Sequence, residues 1–325
     1  MISINSSRCT EIGQTISGIE VKRSFLNRKF LTLENYPEQK LRAFFHAVAI
    51  CHHTYHLAFN QNRLYGWDVI EKVYVSLHET NSELLQLKTF VNLHNNNIRS
   101  LLEEAFKENV KSACTLDRLE ERTHLLVNLE HWIRARYQGS YRILMKEIGN
   151  SITSFYEIIR EPEAFSDPLR KKSSFLIKLL IDSGQFCPED MNGFVPIMDY
   201  HMQRVLLRTG CIEVANDLKE QLLKRLPMQS DELIRSACIE AMTLVARASG
   251  HSLHAMNDFF WPHGRSCCNE KPVCQHKECE KQPCSLSDLL EVPAIHACIF
   301  EFVCPGRDQK NYRLLWQPVI RTHYY

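Results

Sequence analysis

Four cysteines, Cys267, Cys274, Cys279 and Cys284, lie in the run HGRSCCNEKPVCQHKECEKQPCS, with six, four and four residues between them. So many thiols in one loop-like stretch exceed what packing asks for. Thiolates at such intervals from a single segment can wrap one iron–sulfur cube or one zinc ion. A second chemical segment precedes them: VPIMDYHMQRVLLRTG, residues 195–210. Here Pro196 and Asp199 stand before a helical pattern, which makes Asp199 an N-cap with its carboxylate at the positive end of a helix. His201, Val205 and Arg208 share one face of that helix, and Arg204 and Arg208 lie one turn apart. A basic triplet, Arg170, Lys171 and Lys172, opens a third run, and cations at a helix start call for an anion such as phosphate.

These residues need a scaffold. The chain has 325 residues, 44% of them apolar, enough for one large domain or two moderate ones. Periodicity of three and four residues dominates. It runs through residues 41–59, where Phe44, Val48, Cys51 and Tyr55 fall on one face, through 82–106, through 119–148, and through SSFLIKLLIDSG and DELIRSACIEAMTLVARASG, closed by Gly184 and Gly250. Alternation is scarce, and ACIFEFV (297–303) is the one fair strand candidate. The fold class expected is all-α.

Lys plus Arg (39) nearly balance Asp plus Glu (38), so the global field offers no general attraction for nucleic acid. Any polyanion site must come from local charge. No apolar stretch approaches bilayer length, and the first residues lack the order of a secretory signal, so a soluble intracellular monomer is expected, with no membrane partner. Of thirteen cysteines, five cluster and the rest are scattered through helical-looking sequence, which reads as a reducing compartment rather than a disulfide scaffold.

The order Asp199-x-His201-x-x-Arg204-Val205-x-x-Arg208-Thr209, then about fifty residues of helix, then His263-Gly264-Arg265 leading into the cysteines resembles the helix-hairpin-helix DNA glycosylases of the endonuclease III type. Lys271-Pro272-x-Cys274 is similar to that family's cluster loop, whose pattern is Cys-x6-Cys-x2-Cys-x5-Cys. Counting from Lys271-Pro272 makes Cys267 the first ligand, and counting from His263-Gly264-Arg265 makes it Cys268. The resemblance implies a [4Fe-4S] cluster. The altered spacing keeps zinc as the alternative, with His263 or His276 as substitute ligands.

The resemblance also implies a two-lobed fold: a multi-helix barrel over 41–195 ending in the hairpin helix, a cluster domain from 1–40 and 196–290, and an extension, 291–325, that exceeds the usual family end. Asp199 and an amine would face each other across the cleft between lobes. In the family a glycine-rich hairpin presents N–H groups to a DNA phosphate, whereas here Pro168 and Leu169 replace the glycines. The register Lys171, Phe175, Lys178 resembles the archaeal oxoguanine glycosylases, making Lys171 the candidate nucleophile and Lys172 its alternative. Arg170, Lys172, His52, His53, His201 and Arg204 would then contact substrate or DNA, with His52 or His53 filling the gap left by a flipped base. Tyr55, His56, Tyr65 and Trp67 could offer stacking faces.

The activity implied is excision of a damaged or modified base from DNA, with abasic-site lyase activity where a Lys Schiff base forms. Two other readings follow from the same residues. One is a glycosylase of this fold acting on a nucleoside, nucleotide or RNA, in keeping with the neutral charge and missing glycines. The other is a non-catalytic metal-stabilised nucleic-acid-binding protein in which Asp199 is only a cap.

Overall fold

The computed structural model describes residues 1–22, 26–86, 95–277, 285–290 and 297–325. Two compact units emerge, one from Met1–Phe25 with Phe194–Arg321 and one from Leu26–Gly193 with Thr322–Tyr325. In chain order the first unit opens with β1 (Ile2–Ile4) and α1 (Ser6–Ile16). The second holds α2 (Pro37–Ala49), the hairpin β2 (Ala58–Phe59) and β3 (Leu64–Tyr65), α3 (Trp67–Glu79), α4 (Asn95–Ala105), α5 (Leu119–Tyr137), α6 (Tyr141–Ile148), α7 (Ile152–Ile159) and α8 (Lys171–Asp182). The chain then completes the first unit with α9 (Tyr200–Arg208), β4 (Ile212–Val214), α10 (Asn216–Lys224), α11 (Glu232–Ser249), α12 (Leu253–Pro262), a π turn (His263–Cys267), α13 (Val273–His276), α14 (Ser285–Leu289) and α15 (Lys310–Arg313). The molecule is mostly helical. Among the described residues there is no closed barrel, and the only sheets are the ladders β1–β4 and β2–β3. No described helix is long and apolar enough to cross a membrane.

The first unit is built on α1 lying against α11. Cys9, Ile12 and Ile16 on one helix share a core with Cys238, Met242 and Val245 on the other, all fully buried. Gly13 permits the close approach, because a Cβ there would sit 2.5 Å from the Val245 carbonyl oxygen. Strand β1 pairs antiparallel with β4, Ile2 opposite Val214, and ties the chain start to the segment after α9.

The second unit turns on a buried carboxylate. Glu130 of α5 accepts hydrogen bonds from Arg42 Nε (2.9 Å) and Tyr141 OH (2.7 Å), and its Oε1 lies 2.7 Å from His46 Nε2. Arg42 also donates to the carbonyls of Leu85 and Gly139. Burial pushes the Glu130 carboxyl up, but His46 and Arg42 outweigh it and hold it down at about 2. The residue thereby locks α2, α5 and α6 together.

Several helical expectations need correction. The run 119–148 is two helices, because Gln138 and Gly139 take left-handed backbone (φ 55° and 78°) and the Gly139 carbonyl turns to Arg42. The run 41–59 stops at Ala49, so Cys51 and Tyr55 do not continue the face begun by Phe44 and Val48. Helix α2 ends there because buried cations take its last carbonyls: Lys172 Nζ that of Ala49, Arg122 Nη1 that of Ile50. His53 then turns left-handed, φ 46°. In the run 82–106, residues 87–94 lie outside the described residues, and α4 begins at Asn95. Residues 297–303 form turns, not a strand, with Val303 and Cys304 N–H both donating to the Phe300 carbonyl. Gly184 and Gly250 do close α8 and α11, with φ 69° and 76°.

Replacing Arg42 by Met leaves Glu130 buried without its cation. We expect unfolding in urea to show a loss of about 3–5 kcal/mol, with part of it recovered in Arg42→Met/Glu130→Leu.

Candidate metal centre

Asp199 caps α9 as its position before the helix demands: its backbone is extended (φ −105°, ψ 179°), and Oδ1 accepts from Met202 N at 3.0 Å. The carboxylate is buried, only 6% exposed. Met202, Val205 and Leu206 of α9 enter the core, while Arg204 and Arg208 point into the chain that follows α12. Arg204 donates from Nε to the Cys268 carbonyl (2.8 Å), from Nη2 to the Gly264 carbonyl (2.7 Å), and from Nη1 to Gln317; Nη2 also lies 3.1 Å from His201 Nδ1. Arg208 donates from Nε to the Leu315 carbonyl (2.9 Å) and from Nη1 to the Asn269 carbonyl (2.7 Å) and the Cys268 thiol (3.7 Å). Both guanidiniums, with that of Arg225, stand over the Trp316 ring at 4.1–5.5 Å. Burial lowers the Arg204 pKa to about 10, opposed by Cys268. The residue still carries its charge.

The His263-Gly264-Arg265 motif has a steric reason. A Cβ on Gly264 would lie 2.7 Å from the His201 carbonyl oxygen and 2.9 Å from its Cβ, so only glycine lets the π turn press onto α9. This approach brings the thiol-bearing loop under the two arginines.

Cys267, Cys268, Cys274, Cys298 and Cys304 line one cavity, with His263, Arg208 and Phe300. None of the five is bridged. The Cys298 thiol lies 3.7 Å from His263 Nε2, and the Cys304 thiol donates to the Arg208 carbonyl at 3.4 Å. Burial pushes the thiols of Cys274, Cys298 and Cys304 up, that of Cys304 to about 12, and the nearby Cys268 sulfur adds to it in each case. His263 is held down at about 3 by burial and by Arg204, so its ring is neutral. His276 is exposed on α13. Among the described residues no three His, Cys, Asp or Glu side chains are grouped to hold a single ion. Cys279 and Cys284 lie outside the described residues.

Two of these cysteines sit in the extension, 291–325. Its described residues, 297–325, form no strand. Residues 298–321 belong to the first unit, and Leu315, Trp316 and Gln317 are gripped by the α9 arginines. A signal was present: Cys268 and Cys274 have five residues between them, and so have Cys298 and Cys304.

Lys171, in the second unit, and Asp199, in the first, belong to different units. The basic triplet departs from its sequence reading. Lys172 is fully buried, its amine on the Ala49 carbonyl and 3.4 Å from His52 Nδ1. Lys171 is also buried, with Nζ 3.6 Å from the Cys51 thiol and 5.3 Å from the Phe175 ring centre. Arg170 is the most open of the three, half-buried, over Tyr156 at 4.6 Å and 3.7 Å from a Glu157 carboxylate oxygen. His52 is a core residue, fully buried and 2.9 Å from a Glu121 carboxylate oxygen, with burial first and Lys172 second holding it far below its usual pKa. A side chain so enclosed cannot fill a gap in a duplex. His53 is held at about 4 by burial and by Arg118, and its backbone N–H bonds the Tyr325 carbonyl. Tyr55 is exposed, whereas Trp67 packs edge-on against Phe30 and Phe175.

The turn before α8 is closed by a carboxylate: Asp167 accepts from Leu169 N (3.0 Å) and Lys171 N (2.8 Å). A scan of the chain against protein-family models finds no match, and a search of curated proteins returns no relative.

Burial lowers the Lys172 pKa from 10.5 to about 7. The unfolded chain binds that proton at 10.5 and the folded one only near 7, so in this window the unfolded state holds more protons and stability rises with pH. In Lys172→Met this contribution vanishes. Urea midpoints measured from pH 7 to 10.5 should therefore show wild type gaining on the variant as pH rises.

Proposed function

We propose that the chain is an N-glycosidase that excises a damaged or modified base from DNA by water attack, with a thiolate-bound [4Fe-4S] or zinc centre beside the catalytic carboxylate. One observation carries this reading: Asp199 is buried at the start of the same helix whose Arg204 and Arg208 hold the cysteine loop. Cleaving an N-glycosidic bond builds positive charge on the sugar. A fixed carboxylate stabilises that charge and accepts a proton from the attacking water. Held by Met202 N, the Asp199 carboxylate keeps one oxygen committed to the cap and its charge in place.

The thiol-lined cavity suits such a centre in donor chemistry, since Cys268, Cys274, Cys298 and Cys304 with neutral His263 are soft ligands. A centre held by such ligands would brace the segment that carries them. The reaction is read as hydrolysis alone, without lyase activity, because Lys171 and Lys172 bury their amines against Cys51 and the end of α2. In the unit of Asp199 the candidate contact to the sugar-phosphate chain is His201, which is half-buried.

A second reading, a glycosylase of a nucleoside, nucleotide or RNA, gains support from Asp167, which occupies the hairpin amides that would otherwise anchor a duplex phosphate. Both enzyme readings rest on Asp199. Asparagine keeps the cap and removes the charge, so Asp199→Asn should melt like wild type. It should release base at least about a hundredfold more slowly from oligonucleotides with oxidised, alkylated, deaminated or enlarged bases, or from the matching free nucleosides. Undiminished release by this variant would exclude both. A steep fall of binding with salt marks the duplex as substrate, and a flat response marks the nucleoside.

A further inference from the structure

We infer that Arg204 is a positioning residue: it fixes His201 in the tautomer whose hydrogen sits on Nε2, so that His201 meets substrate as a hydrogen-bond donor. For its substrate this rests on the glycosidase reading above, whereas the tautomer follows from geometry within the first unit alone. Arg204 and His201 lie one turn apart on α9. Arg204 Nη2 stands 2.7 Å from the Gly264 carbonyl oxygen and 3.1 Å from His201 Nδ1, which gives each of its two hydrogens one acceptor. Nε is directed at the Cys268 carbonyl and Nη1 at the side-chain oxygen of Gln317.

A guanidinium donates and never accepts. Nδ1 must therefore turn its lone pair to Nη2, and a neutral imidazole then carries its one hydrogen on Nε2. The opposite tautomer sets two N–H groups head to head at 3.1 Å and leaves one donor of a guanidinium that is only 2% exposed without its acceptor. The cost of burying an unmet donor decides between the two. The ring is held on a second side by Tyr200, whose ring centre lies 4.3 Å from that of the imidazole. Gly264 presses on the His201 backbone and Cβ from the π turn.

One chemical consequence is exclusion. With a hydrogen on Nε2 and the Nδ1 lone pair engaged by Arg204, His201 has no lone pair for a proton or a metal, so in the proposed reaction Asp199 is the base at this end of α9. The other consequence is a role. An N–H held in one direction suits an oxygen acceptor, and in a nucleic acid or nucleotide the phosphate oxygens are such acceptors; contacts of this kind position the chain and do not take part in bond cleavage.

The tautomer is read first, without substrate, on the full chain labelled isotopically at histidine and arginine nitrogens. Nuclear magnetic resonance shifts of His201, assigned against His201→Gln, should place the hydrogen wholly on Nε2 and show Nδ1 as an unprotonated acceptor. Arg204→Lys should lose this single tautomer, because one ammonium does not serve Gly264 and His201 together as the planar fork does. Should that variant fail to fold, scalar coupling between Arg204 Nη2 and His201 Nδ1 in the unaltered chain decides: its presence supports the contact and its absence overturns it. The second arm follows base release from the same oligonucleotides as Asp199→Asn. His201→Ala should raise KM about tenfold with kcat unchanged, and His201→Gln, whose amide N–H stands in for Nε2–H, should return KM to within about threefold of wild type. A hydrogen on Nδ1, or equal losses in the Ala and Gln variants, overturns the inference. No release by wild type overturns the glycosidase reading and with it the substrate contact, while the tautomer stands or falls on its own spectrum.

Discussion

Two buried guanidiniums organise the first unit. Removing a cation from water costs several kcal/mol even after relaxation, and Arg204 and Arg208 offset that cost by directing nearly all their donors at carbonyls that loop geometry leaves unpaired: Gly264, Cys268, Asn269 and Leu315. Loop and tail are thereby fastened to α9 through their backbone carbonyls. Asp199, at the other end of the same short helix, inherits its position from this arrangement. Arginine suits these two positions because its planar fork serves several acceptors at once.

The second unit uses the same device for another purpose. Arg42 reaches Leu85 and Gly139 across the break between α5 and α6, and Lys172 with Arg122 closes the end of α2. In each case a buried cation satisfies carbonyls where a helix stops. The basic triplet before α8 is thus largely structural, and its neighbour Asp167 fills the amides that a phosphate would need. Within the proposed glycosidase reading, these two features favour water activated by a carboxylate over a lysine nucleophile.

Much of this was legible in the sequence where a local rule applies. Asp199 reads as a cap from its place after Pro196 and before an apolar periodicity, and the glycines after α8 and α11 read as stops. Other features depended on distant partners. The periodicity through 41–59 gives no hint that α2 ends at Ala49, because the cation that closes it comes from Lys172, more than a hundred residues later. Likewise Cys298 and Cys304 lie in a stretch whose alternation imitates a strand, and the fold alone brings them to Cys268. Charge runs mislead for a related reason. Lys171 and Lys172 look solvated or phosphate-seeking, and only the packing shows their stems buried with the amines turned inward.

Arg204 and Arg208 fasten both the cysteine loop and the tail to α9 through backbone carbonyls. Hydrogen–deuterium exchange compared between wild type and Arg208→Met reads this fastening residue by residue. Amides near Cys268, Asn269 and Leu315 should lose protection while those of α1 and α11 keep theirs. Unchanged protection in loop and tail would show that the guanidinium does not hold them.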